Sequence, residues 1–181
     1  MANGMGLVPA DLEGQLGAPF TQDEVDAAVV AVRNAARWHI SPETSSVVTL
    51  DVECREPVLR LPTKHLVSVT EVRDVDLDEV ISADLYRVSL SEGWVRAKYG
   101  YWPDGYGRMR VTFVHGYDDV PTDLLPVLAE SAQLGRRDQT ASAVGAGPYN
   151  VAYVVDRAVA LANPLSTASV LARYTMWESG L

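Results

Sequence analysis

Apolar residues first recur at helical spacing just after Phe20. Val25, Ala28, Val29, Val32, Ala36 and Ile40 fall on one stripe, while Gln22, Asp26, Arg33 and Arg37 fall on another. Thr21 followed by Glu24 makes a capping box, and Phe20 ahead of Val25 has the spacing of a hydrophobic staple. Asp23 and Glu24 at the start and Arg33 and Arg37 at the end suit the helix dipole, and Pro42 stops the run. The spacing predicts a helix over 20–40. From Ser45 to about Tyr117 the period drops to two. Val48, Leu50 and Val52 alternate with Thr49, Asp51 and Glu53; Leu59 and Leu61 flank Arg60; Tyr86, Val88 and Leu90 flank Arg87 and Ser89; Met109, Val111 and Phe113 flank Arg110 and Thr112. These are half-buried strands. The runs 67–72 and 94–97 are less regular, yet Pro62, the acidic stretch 74–79 and Glu92-Gly93 punctuate them as an antiparallel meander of five or six strands requires.

Alternation ends at Asp118, and Pro121 then occupies a position suited to the start of a helix, with Asp123 in its first turn. A second helix is expected over 121–137, carrying Leu124, Val127, Leu128, Ala132 and Leu134 on its core face. Pro126 should kink it or move its true start, because the ring removes a backbone donor and crowds the preceding turn. Residues 1–19, with Gly4, Gly6, Gly14, Gly17, Pro9 and Pro19, read as a flexible lead-in around one helical turn near Leu12 and Leu16. Residues 138–150, rich in Ala, Ser and Gly, read as a link. Beyond them Tyr149, Val151 and Tyr153 alternate in an uncharged stretch, and a short last helix is expected near 165–174, after Pro164. The expected class is α+β.

Composition narrows the function. The chain has 181 residues, 48% of them hydrophobic and 22% charged, which fits a globular domain and excludes a disordered or collagen-like chain. Its 24 acids against 15 bases leave a formal charge of -9, and Lys64 and Lys98 are the only lysines. Sequence-independent gripping of DNA needs many cations to displace condensed counterions, so this balance disfavours it. Cys54 stands alone, so neither an internal disulfide nor a cysteine-built zinc site is expected. No targeting or membrane-spanning pattern is found, and the default expectation is the cytoplasm.

Chemistry-bearing motifs are sparse. No GxGxxG, P-loop or HExxH is present, so no cofactor, metal or catalytic residue is assigned. His39, His65 and His115 lie far apart in sequence and read as structural. Cys54 reads as an inert thiol, since nothing local would lower its pKa. Asp74, Asp76, Asp78 and Glu79 imitate a calcium loop but lack its glycine and closing glutamate, so a solvated turn is expected. The densest aromatic cluster is Tyr99-Gly-Tyr-Trp-Pro-Asp-Gly-Tyr-Gly, whose Pro103-Asp104-Gly105 has turn chemistry and should link the Trp94 and Met109 strands. It is either a self-packed loop or a contact surface, where rigid aromatics gain area at low entropic cost. Base stacking is a weaker third reading, because only Lys98, Arg108 and Arg110 are near.

Four stretches together carry a resemblance: Phe-Thr-Gln-Asp-Glu-Val-Asp-Ala-Ala-Val from Phe20, Leu61-Pro62-Thr63 with Leu66-Val67-Ser68-Val69, the aromatic tip, and Val114-His115-Gly116-Tyr117 with Val120-Pro121. Over roughly residues 10–175 the chain resembles the head-to-tail connector, or adaptor, proteins of tailed double-stranded-DNA bacteriophages, siphovirus-like and infecting actinobacteria. The resemblance implies a helical connector core over 20–139, an antiparallel β-sheet insertion over 45–117 between its two helices, and an extended C-terminal arm over 140–181 ending in a short helix. It also implies a homo-oligomeric ring, commonly dodecameric, which binds the capsid portal and offers a surface to the next stopper or tail protein. Genomic DNA would pass through the lumen without sequence-specific binding, and the protein would reside in the virion neck after assembly in the host cytoplasm. Candidate assembly contacts are Tyr101, Trp102, Tyr106, Tyr149, Val151, Tyr153 and Trp177. Rival readings are another neck component, such as a stopper or tail-completion protein, and a small hydrolase centred on His115 with Asp118 and Asp119.

Overall fold

The computed structural model describes residues 4–140 and 166–176. It divides into two compact units, one joining Met1–Trp38 to Val120–Leu181 and the other spanning His39–Asp119. The α+β character predicted by the two periodicities is present.

In the first unit, α1 spans Gln22–Ala36 and buries Val25, Ala28, Val29, Val32 and Ala36. Its capping box forms as expected: the Thr21 hydroxyl accepts from the Glu24 amide, and the Glu24 carboxylate accepts from the Thr21 amide at 2.7 Å. The helix ends four residues before the predicted Ile40. Arg37 takes a left-handed conformation with φ 66°, and its amide donates to the Arg33 carbonyl at 2.8 Å, which closes the last turn. Ahead of α1, the glycine-rich segment forms a 3-10 turn at Pro9–Leu12 and places Met5, Leu7 and Leu12 in buried positions.

A 3-10 turn at Thr122–Leu124 leads into α2, Leu125–Thr140. Pro126 therefore sits in the first α-helical turn, where its missing donor would have had no intrahelical acceptor anyway. It moves the start of the helix. Val127, Leu128, Ala129 and Ala132 are buried, but Leu134, expected on the core face, is exposed. The last helix, α3, spans Thr167–Tyr174, begins with the Ser166 hydroxyl accepting from the Ser169 amide at 3.1 Å, and buries Val170.

The second unit holds seven strands: β1 Thr44–Val52, β2 Val58–Arg60, β3 Leu66–Asp74, β4 Glu79–Val80, β5 Tyr86–Ser89, β6 Trp94–Ala97 and β7 Gly105–His115. They are not a meander. All pairs are antiparallel, but they form a four-stranded sheet in the order β1-β7-β3-β4 and a three-stranded sheet in the order β2-β6-β5. The first and last strands pair, Thr44 opposite His115 and Leu50 opposite Met109, and β7 lies between β1 and β3, offering one edge to each over the same residues 109–115. Val72, Val95, Met109, Val111 and Phe113 are the most deeply buried members of the core. Gly116 closes β7 with φ +103°, and a Cβ there would meet the Pro42 carbonyl oxygen at 2.8 Å, so glycine is required on two counts.

Candidate assembly surfaces

The aromatic tip connects β6 to β7, and these strands belong to different sheets, so it is an inter-sheet crossing rather than a hairpin. Its side chains divide. Trp102 is only 5% exposed, sits 6.2 Å from the Tyr86 ring, and donates its backbone amide to the Glu56 carbonyl at 3.0 Å. Tyr99 and Tyr101 are exposed, and Tyr106 is 96% exposed. An indole anchor thus fixes the loop, and the tyrosines stand in solvent. Of the remaining candidate contacts, Tyr149, Val151, Tyr153 and Trp177 lie outside the described residues.

The acidic turn between β3 and β4 is a built structure. Asp74 is buried, its carboxylate accepts from the Asp76 and Leu77 amides, and the Arg108 guanidinium lies 2.8 Å away. Burial alone would push its carboxyl up, but Arg108 and the two amides outweigh that, and the net direction is down. Asp76 pairs with Arg108 at 2.5 Å, and Asp78 with Arg73 at 2.7 Å. The side chains of Leu77 (62% exposed) and Glu79 project from the turn.

A third surface lies on the outward face of the three-stranded sheet. The registers Val58 to Arg96, Arg87 to Arg96, and both Arg60 and Ser89 to Trp94 put these six residues on one face, while Leu59, Val95 and Tyr86 turn into the core. Arg60, Arg87 and Arg96 are exposed, and none of them is ion-paired among the described residues. In the sequence Arg60 and Arg87 stand out only as polar alternates; their meeting depends on a pairing that periodicity does not disclose.

The histidines are closer together than their numbering suggests. The His39 and His115 rings lie 5.7 Å apart, and His65 stacks on Tyr117 at 4.1 Å. His115 is buried with Nε2 3.0 Å from the Ser46 hydroxyl; burial first, and the neighbouring His39 charge second, push its pKa down. Asp118 and Asp119, the acids weighed with His115, are exposed. Among the described residues, no three His, Cys, Asp or Glu side chains cluster in a way that could hold a metal ion, and no helix is long and apolar enough to cross a membrane.

The helical unit carries two adjoining hollows of about 300 and 340 Å³ along α2. Leu134 and Thr167 line both, and Val32, Ala35, Val127 and Leu171 make the larger one apolar.

No known protein family and no curated protein matches the sequence. Solved structures do match in fold. A chain from the neck of an empty gene transfer agent particle, computed with C6 symmetry, is 17% identical over 99% of this chain and 94% of that one, with a TM-score of 0.62. A chain from the virion of the native gene transfer agent particle is 15% identical over the same shares, with a TM-score of 0.61. A chain from the native neck computed with C12 symmetry is 16% identical, again over 99% and 94%, with a TM-score of 0.60.

Proposed function

We propose that this chain is a structural subunit of the neck of a tailed, phage-like particle, forming a ring that joins the capsid portal to the tail and lets double-stranded DNA pass. The observation that carries the reading is the end-to-end likeness of fold to chains from gene transfer agent necks and virions. The C6 and C12 symmetries with which the neighbours' necks were computed support association of copies around an axis. The place of this subunit is the adaptor position on the portal, in the virion, after assembly in the host cytoplasm. That finer assignment, and kinship to siphovirus-like particles of actinobacterial hosts, draws on the sequence resemblance. Tyr101 and Tyr106 of the tip, presented by the Trp102 anchor, together with Tyr149, Val151, Tyr153 and Trp177, supply contacts to neighbours.

The formal charge of -9 has a physical use in this reading. DNA carries about one negative charge per 1.7 Å of duplex axis, so carboxylates at the lumen repel it and leave no sticking points. At physiological salt that repulsion reaches about 8 Å, which confines its effect to the lumen wall.

Electron microscopy of the full chain mixed with a portal complex tests the assignment. The expected result is a ring seated on the portal. A ring that seats only on another neck protein reassigns the chain to a stopper or tail-completion role. A chain that forms no ring and leaves the portal bare overturns the reading, as does ester hydrolysis that disappears in His115→Gln.

A further inference from the structure

We infer that the outward face of the β2-β6-β5 sheet receives the acidic turn between β3 and β4 of a neighbouring copy, so that one subunit's arginines read the next subunit's carboxylates. The inference rests on the ring reading above and supplies its contact.

The face has a cost in the isolated chain. Arg87 stands directly opposite Arg96 in the β5–β6 ladder, and like charges in that position destabilise a sheet. Arg60 adds a third guanidinium on the same face, with Trp94 and Val58 as the apolar floor between them. No acid occupies any of the six outward positions. In a chain where acids outnumber bases 24 to 15, three exposed guanidinium groups without ion pairs among the described residues amount to an anion site. Guanidinium groups suit that task because their planar donors engage carboxylates in pairs and their faces stack on indole.

The acidic turn has the complementary form. Glu71, Asp74, Asp76, Asp78 and Glu79 surround it, against Arg73, Arg108 and, opposite Arg73 on β7, Arg110, so the turn keeps a net negative charge to meet the positive face. Exposed Leu77 stands at its tip, ready to cover the Trp94 floor. Because Asp74 is buried and held by Arg108 and two backbone amides, the turn is preorganised and loses little freedom on docking. Receptor face and turn are different surfaces of one chain, so the contact is heterologous, the type that generates rings. A turn on a three-stranded face is smaller than the roughly 1,000 Å² of a stable interface, so it sets register and orientation within a larger contact. A DNA phosphate is the competing occupant, but the chain's net negative charge opposes it.

The test uses the full chain in sedimentation velocity. Arg87→Glu with Arg96→Glu makes one variant, and Asp76→Lys with Glu79→Lys makes the other, all at exposed side chains. Wild type associates at low salt. Each variant alone associates at least about tenfold more weakly, and the two mixed recover association, because each reversed surface then meets its opposite. Raising the salt weakens wild-type association, which gives an arm that needs no substitution. Association unchanged in both variants and in high salt overturns this contact while leaving the portal-ring reading intact. A wild-type chain that stays monomeric at every accessible concentration also overturns it, and the imaging experiment judges the ring separately. Capture of fluorescent duplex DNA by wild type, lost in the Arg87/Arg96 variant and without self-association, assigns the face to phosphate and overturns the inference.

Discussion

The two units are fastened by different physics. In the β unit, cohesion comes from ladders between long strands and a continuous apolar core running from Val52 to Phe113. The helical unit also buries apolar side chains, Leu12, Val25, Val29, Leu124 and Leu128 most deeply, and adds polar contacts that tie together pieces far apart in sequence. Arg136 on α2 meets Glu24 on α1 at 2.7 Å, reaches the Gly17 carbonyl at 3.0 Å, and lies 4.9 Å over the Phe20 ring. The Trp38 indole donates to the Tyr174 carbonyl at 2.6 Å, and the Tyr174 hydroxyl to Asp123 at 2.6 Å. A ladder distributes its strength over many small increments, whereas a clamp concentrates it in a few atoms. Both units should therefore be sensitive to loss of buried volume, and the helical unit should respond to loss of charge as well.

The largest effect expected is a core truncation. Phe113 is among the largest fully buried side chains, on the central strand β7. Phe113→Ala should cost about 3–5 kcal/mol in urea unfolding, from lost transfer energy plus the cavity left behind. Protection of β-unit amides should collapse in hydrogen exchange. A cost under about 1 kcal/mol would mean the two sheets do not share one core.

Acid separates the units more finely. Glu24 is held at about 2, below its usual 4.5, chiefly by the hydrogen bond from Arg136 and then by the Thr21 amide. Its depressed folded pKa means that the stabilisation is complete above about 4.5 and disappears as the pH falls toward 2. The carboxylate is partly open to water, so the loss should be about 1 kcal/mol. His115, pushed below 6.5 by burial, acts earlier: the unfolded chain takes up its proton first, so the β unit loses stability as the pH falls below about 6.5. Hydrogen exchange followed from pH 7.5 to 3 should show the β unit softening first and the helical unit holding until below 4.5. In Glu24→Gln the helical step should vanish while the β-unit step stays. A helical unit that softens first would reverse the comparison.

The difference between the units also explains what could be read in advance. The start of α1 was legible because its signals are local: Thr21, Glu24 and Phe20 lie within five positions. Its end was not, since a left-handed arginine at position 37 leaves no mark in composition. Alternation identified strands but not their partners. β1 and β7 lie more than fifty residues apart, and period two says which side of a strand is buried, not which strand lies beside it. The same limit hid the arginine face, whose members come from three separate strands. The tip was legible as an aromatic cluster, but only packing decides that Trp102 turns inward while Tyr106 does not.

The smallest effect on folding belongs to one of the residues proposed as contacts at the tip. Tyr106 is 96% exposed, so Tyr106→Ser removes almost no buried area and should change stability by no more than about 0.5 kcal/mol. Trp102→Ala removes the indole packed near Tyr86 and should cost about 3 kcal/mol or more. Assembly should reverse that ranking per unit of stability lost. A tyrosine at an interface contributes rigid area with two torsions to order, so Tyr106→Ser should weaken ring formation on the portal without moving the urea midpoint. Trp102→Ala should weaken both together, because it releases the loop that presents the tyrosines. Comparing the two variants in parallel unfolding and portal-binding titrations separates contact from scaffold. If Tyr106→Ser binds the portal as wild type does, the exposed tip is a solvated loop, and the contacts lie on the sheet face or outside the β unit.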